Sequence, residues 1–291
     1  MFSADWLALR EPADAAARSA SLAGSSMDGR PRAEPIRVLD LAAGTGANAR
    51  YLVDRLPREQ DWLLVDLDAS LLAQVPERMA RRMSAPGRVV STDEHGVRVT
   101  GAGRPPIRLT TRRVDLAALD DPALFTNRDL VTASALLDLV SETWLRVLAA
   151  RCRKAGAAAL FALTYDGGMR CTPEDPDDAR IRDLVNRHQR TDKGFGLALG
   201  PDAVVAAEHC FAAEGYQVRR ERSDWMLAPA MTAIQMQLVD GWAQAAREIA
   251  HDDVSSIEDW RRRRLAFIDR GVSAIVVGHE DIAVSQVFPG Q

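Results

Sequence analysis

The stretch best suited to chemistry is Val38-Leu39-Asp40-Leu41-Ala42-Ala43-Gly44-Thr45-Gly46, an apolar run that breaks into a small-residue turn. Glycine lets a backbone pass close to a ligand because no Cβ stands in the way. Gly44, Gly46 and Ala49 fit the G-x-G-x-x-G/A spacing with which dinucleotide folds seat a pyrophosphate on a helix N-terminus, so a diphosphate is one possible ligand. Asp40 argues for another, since a carboxylate beside the turn repels a diphosphate and attracts a cation. A second acid, Asp66, ends the apolar run Leu63-Leu64-Val65 about twenty residues beyond the turn, the separation expected when one helix joins two neighbouring parallel strands. An acid there serves a ribose in either case, so Asp66 points to a nucleoside without choosing between the two.

Asp40 to Gly46 resembles the first motif of class I S-adenosylmethionine-dependent methyltransferases, with Ala42 where many members have the first glycine. The resemblance implies S-adenosyl-L-methionine as cofactor and S-adenosyl-L-homocysteine as product, held at Asp40, Ala42, Gly44 and Gly46. It implies that Asp66, followed by Leu67, accepts both ribose hydroxyls. Val114-Asp115-Leu116 is similar to the family's third segment, which implies contact of Asp115 and the Leu116 amide with the adenine edge; a helix-capping role for Asp115 is the competing reading. The run from Asp129 to Asp138, DLVTASALLD, is similar to the family's fourth strand and following loop, and puts Ser134 and Ala135 on the methionine part. A buried strand end and turn would explain the same two residues. These motifs occur in the family's order between Ile36 and about Tyr165.

Methyl transfer is an in-line displacement at an activated carbon, so the protein must chiefly align the acceptor and exclude water. A hydroxyl or ammonium acceptor also needs a base. Tyr165 and Asp166 follow a strand end, where ligands of open α/β sheets bind, and His188 in the run HQRTDKGFG is the first choice of base. Gln189, Asp192 and Lys193 lie nearby, and the glycines flanking Phe195 would allow a lid. His279 is a further candidate, though capping a strand turn suits it as well. Trp225, Met231, Met236 and Trp242 could line an apolar pocket or pack a core. Arg261 to Arg264 read as the solvated face of a helix packed through Trp260, Leu265, Phe267 and Ile268. Arg10, Glu11 and Arg18 could bring an N-terminal helix over the cofactor, with Arg18 meeting its carboxylate.

These residues need a frame. A helical pattern from Ser3 to about Leu22 and a polar linker from Ser25 to Pro35 precede a first strand, Ile36 to Leu41. Helix Ala47–Leu56, strand Trp62–Leu67 and helix Ser70–Met83 set a βαβ rhythm, interrupted from Val89 to Arg113 by one or two hairpins around Gly96, Gly101 and Gly103. Strands at Asp129–Ser134 and Ala157–Thr164 flank a helix at Glu142–Arg153. A polar stretch from Tyr165 to Pro201 carries a short helix near Asp178–Arg187; helix Ala203–Ala213 and strand Tyr216–Leu227 follow. Two more helices come next, the second opened by a Ser255/Glu258 capping box, before strand material at Val272–Val277 and Ile282–Val287. The alternation predicts a parallel sheet. The resemblance sharpens this to a Rossmann-like three-layer αβα sandwich: a mostly parallel seven-stranded sheet with a reversed edge strand, plus helical cap insertions. The chain reads as one domain over 1–291, with an N-terminal helical segment at 1–30, a cofactor-binding core at 36–165 and acceptor-side insertions at 166–201 and 228–271.

A formal net charge of −4 and a pI near 5.8 supply no global positive field for a polyanion, which argues for a small-molecule acceptor and against nucleic acid. No apolar window approaches a membrane span, and no signal-peptide pattern opens the chain. Cys152, Cys171 and Cys210 lack C-x-x-C pairing and fit reduced thiols better than disulfides or a metal site, consistent with a cytoplasmic protein. The sequence sets no oligomeric state. Two other functions fit the same residues: an NAD(P)-dependent oxidoreductase, and a non-catalytic scaffold that binds S-adenosylmethionine.

Overall fold

A computed structural model describes residues 3–25, 35–56, 58–93, 96–101 and 105–286. Most of the expected polar linker, Gly103 and Val287 lie outside the described residues. The chain starts with helices α1 (Ala4–Ala17) and α2 (Ala20–Ser25) and enters strand β1 (Ile36–Leu41), helix α3 (Ala47–Leu52) and strand β2 (Gln60–Asp66). Helices α4 (Ala69–Leu72) and α5 (Val75–Met83) replace the single helix expected there; Pro76 opens α5, where its missing N–H costs nothing. Strands β3 (Arg88–Asp93), β4 (Gly96–Gly101) and β5 (Ile107–Arg113) follow, then β6 (Leu130–Ser134), α6 (Glu142–Ala155) and β7 (Ala158–Thr172). The remainder is α7 (Asp178–Gln189), α8 (Ala203–Ala213), β8 (Tyr216–Arg222), β9 (Trp225–Leu227), α9 (Thr232–Ile249), α10 (Val254–Asp269) and β10 (Ala274–Gln286).

The strands form one sheet in the order β3-β4-β5-β2-β1-β6-β7-β10-β8, with β9 also paired to β10. Strands β5, β2, β1, β6 and β7 are mutually parallel, and β10 runs antiparallel between β7 and β8. The sandwich expected from the sequence is present, with ten strands among the described residues in place of seven: the β3–β4 hairpin widens one edge, and β9 is a short addition. The reversed strand β10 lies one place in from the edge, which β8 occupies.

Alternation along β1 shows how the layers form. Ile36 and Val38 face a core shared with α2, α3, α4 and α5, whereas Leu39 and Leu41 face one shared with α6 and α8. A third core gathers α1, α7, α9, α10 and the far ends of β7 and β10 around Trp225, Trp242 and Trp260. This cap stands on strands longer than the periodicity predicts. Strand β7 continues eight residues past Thr164, and β10 joins both expected pieces, because the two strands pair along their length through register shifts at Val277/His279 and Glu280/Ile282. Asp281, buried at the second shift, accepts the Leu163 N–H with Oδ1 and the Ser19 N–H with Oδ2, both at 2.8 Å. It thereby ties the end of α1 to the sheet.

Two other expectations fail. The capping box at Ser255 and Glu258 does not form: α10 starts at Val254, and Glu258 pairs instead with Arg247 and Arg261. The Arg261–Arg264 face is not wholly solvated. Arg264 is fully buried and forks onto Asp178, with Nε 2.9 Å from Oδ1, and Arg263 bonds Asp175. No helix of the described residues is long and apolar enough to cross a membrane.

Candidate functional site

A cavity of about 510 Å³ opens where β1, β2 and β6 end at their C-terminal edges. Its floor is the turn after β1. Ala42 (φ +50°), Gly44 (φ +52°) and Gly46 (φ +81°) all take left-handed backbone, which turns the chain sharply into α3. That conformation explains why glycine suits position 42; alanine carries a small steric cost there. Asp66 binds the turn from the next strand: Oδ2 accepts the Gly44 N–H at 2.8 Å and Oδ1 accepts the Asp68 N–H at 2.9 Å. Gly46 donates to the Ala43 carbonyl at 2.8 Å. Two amides that a diphosphate would call on are therefore already engaged.

Helix α1 closes the cavity from above. Leu7, Arg10, Glu11, Asp14 and Arg18 all line it, and a Cβ on Gly44 would meet Leu7 at 3.1 Å. The helix is fastened by Glu11, whose two oxygens accept from Arg50 Nε and Nη2 of α3 at 2.7 Å each. Arg18 lies buried with its guanidinium 4.0 Å from the centre of the Tyr51 ring.

Asp40 stands behind this wall. It is fully buried and accepts a 2.6 Å hydrogen bond from Asn48 Nδ2, which also donates to Thr132 Oγ1. Burial pushes the Asp40 carboxyl up to about 7 against the opposing pull of Asn48 and Arg18. Asp40 thus sets Asn48 and does not itself form the lining. Three residues of the lining each carry a buried polar atom without a hydrogen-bond partner among the described residues: Arg18 Nε, Thr45 Oγ1 and Asn48 Oδ1. Buried polar atoms are seldom left so, and together these three offer a donor and two acceptors.

Of the residues picked from sequence, Ala42, Gly44, Asp66, Leu67, Ser134 and Ala135 line the cavity. Asp115 and Leu116 do not. The Asp115 carboxylate accepts the Ala117 N–H at 2.9 Å, and buried Leu116 accepts the Trp144 indole N–H through its carbonyl. Phe195 does line it, carried on a tight turn closed by an Asp192–Leu197 bridge and resting edge-on against Trp144. The candidates for acid-base work lie elsewhere. His188, on the cap helix α7, contacts Glu248 at 2.9 Å and Lys193 at 3.3 Å. Tyr165 donates its hydroxyl to Asn186, and burial raises that phenol. Asp166 accepts the Gly168 N–H, pairs with Arg222 and fills the space a Cβ on Gly278 would need. Trp225 and Trp242 belong to the cap core, while Met236 is 38% exposed. Sequence reading missed Thr45 and Asn48 in the lining, and Asp138, a buried acid outside it. The first two stand inside or just after the glycine motif and could have been found by asking which polar residues of the turn face its ligand; no signal marks Asp138. Among the described residues no group of His, Cys, Asp or Glu could hold a metal ion.

No protein-family model and no curated protein matches the chain. Among solved structures it is similar to the cyclopropane synthase MmaA2 from Mycobacterium tuberculosis, at 15% identity and a TM-score of 0.44 over 92% of this chain and 82% of that one. It is similar to the YcgJ protein from Bacillus subtilis, at 12% identity and 0.46 over 92% and 98%. A geranyl diphosphate methyltransferase in complex with S-adenosylmethionine gives 12% and 0.43 over 92% and 84%. Likenesses of this size establish neither reaction nor ligand, so both must come from the cavity.

Proposed function

We propose that the chain is a class I S-adenosylmethionine-dependent methyltransferase acting on an oxygen or nitrogen of a small-molecule acceptor. The observation that carries this reading is the set of unpartnered polar atoms carried by residues of the cavity lining. An α-amino acid end needs a donor for its carboxylate and acceptors for its ammonium, and Arg18 Nε, Thr45 Oγ1 and Asn48 Oδ1 are of those kinds. Asp66 keeps further acceptor capacity on both oxygens beyond the two amides it holds, as a pair of ribose hydroxyls requires. When bound, the cofactor supplies a methyl carbon already activated by the neighbouring sulfonium. The chain's own part is to orient it, and α1 and Phe195 keep water from the reacting atoms. Gly46 stays in the proposal through the left-handed turn it forms, whereas Asp115 and Leu116, outside the cavity lining, are not carried into it. A reducing, cytoplasmic setting belongs to the same reading and is supported by three buried, unpaired cysteines.

Calorimetric titration tests it. S-adenosylmethionine and S-adenosylhomocysteine should bind saturably, and Asp66→Asn should weaken both at least tenfold, or ~1.4 kcal/mol. Saturable binding of NADH with none of S-adenosylhomocysteine would replace this function with a nicotinamide-dependent one.

A further inference from the structure

Asp166 frames a second cavity, of about 410 Å³, beside the bulge where β7 and β10 shift register between Val277 and His279. Its lining shares no residue with the cavity under α1. Three arginines line it from three separate elements: Arg170 from β7, Arg182 from α7 and Arg222 from the end of β8. The acids of the lining are Asp166 and Asp224.

Glycines clear the space for Asp166. A Cβ on Gly168 would come within 2.9 Å of Asp166 Oδ1, and one on Gly278 would collide with the same carboxylate. Seated there, Asp166 accepts the Gly168 N–H at 2.8 Å with Oδ1 and Arg222 Nη1 with Oδ2. The other arm of Arg222, Nη2, lies 2.8 Å from Asp224 Oδ1, an oxygen that also accepts the His279 N–H at 3.1 Å. The two acids are thus engaged in fixing Arg222 and the bulge.

Arg170 and Arg182 are left over. The Arg170 guanidinium has no hydrogen bond or ion pair among the described residues, and Arg182 has only a 3.4 Å contact with Asp183, its neighbour on α7, which stands outside the lining. Three guanidinium groups against two carboxylates leave the cavity net positive, and a concave surface concentrates such a field more than an open face does. An anion would supply the partners that the chain does not. Guanidinium forks match both carboxylate and phosphate. One fork occupies the two oxygens of a carboxylate, whereas a phosphate monoester has three terminal oxygens to share among forks arriving from different elements.

We propose that this cavity binds the phosphate group of a small phosphorylated molecule, with Arg170 and Arg182 as its principal donors and Arg222 held alongside by Asp166 and Asp224. The volume is that of a small-molecule site, and Met169 and Val276 offer an apolar wall to the organic part of the ligand. Because no lining residue is shared, the site is distinct from the one assigned to the methyl donor.

Calorimetric titration of the full chain with phenyl phosphate, in a phosphate-free buffer of fixed ionic strength, tests the assignment. Phenyl phosphate should bind saturably, and benzoate at least tenfold more weakly. Arg170→Gln and Arg182→Gln should each weaken phenyl phosphate at least tenfold, whereas Arg262→Gln, which removes the same charge from an exposed position on α10, should leave its affinity unchanged. Arg170 is exposed and Arg182 half-buried, so the variants should melt as the wild type does without ligand; if one of them does not fold, the other carries the comparison. A wild type that does not bind phenyl phosphate saturably, benzoate bound as tightly as phenyl phosphate, or equal losses in all three variants would overturn the site. The S-adenosylhomocysteine titration reports on the other cavity, so failure of one reading is distinguishable from failure of the other.

Discussion

Asp40 illustrates how a residue can matter to a ligand without touching it. Read as sequence, it is a negative charge beside a turn; folded, it is a fully buried acid whose effect reaches the cavity through Asn48. Its carboxyl rises from 3.8 to about 7 in the folded chain, so between those values the folded state holds a proton that the unfolded state has lost. Stability attributable to Asp40 is present at low pH and declines as pH rises through that window, by up to ~1.4 kcal/mol for each pH unit. Asp40→Asn has no proton to lose and retains an oxygen for Asn48. Its melting temperature relative to wild type should therefore climb between pH 5 and pH 8 in parallel scans. A difference that stays flat across that range would mean the buried acid is ionised throughout.

Among the elements, the cap depends on a contact between α7 and α10. Arg264 is fully buried and pairs with Asp178, which also accepts the Trp260 indole N–H at 2.8 Å. Asp178→Ala should lower stability by ~3–5 kcal/mol in urea unfolding, because it strands a guanidinium away from water. A loss below ~1 kcal/mol would show that water reaches the charge. The same pair marks the limit of what could be read beforehand. Strands β1, β2 and β6 and helices α3 and α6 were legible because their own periodicity determines which face is buried. Arg264 looked solvated because its partner lies 86 residues earlier. Strand β7 looked finished at Thr164 because its extension is dictated by pairing with β10, and the apparent single strand from Tyr216 to Leu227 divides at Ser223 and Asp224, which bond the backbone of His279. In the cavity the glycine turn and Asp66 were legible from spacing, whereas Thr45 and Asn48 are single polar residues whose significance comes from carrying buried atoms without partners.

At the scale of the whole molecule, the cavity lies between the sheet edge below and α1 above. The Glu11–Arg50 pair spans them, and Asp281 anchors the far end of α1 through Ser19. Glu11→Gln should change global stability little, since Glu11 is a partly exposed partner, yet loosen the helix over the cavity. Hydrogen–deuterium exchange should then be faster in α1 than in wild type, with the β1–β2 amides unaffected. Uniform acceleration throughout the chain would instead mean that this pair supports the fold as a whole.

Since Asp281 secures one end of that helix and Glu11 the middle, the natural direction of opening is a swing outward from the N-terminal side, pivoting near Ser19. The frequency of such opening would then depend on the release of Glu11 by Arg50, which added salt should ease, together with the contacts of Trp6 and Arg10 on Trp225.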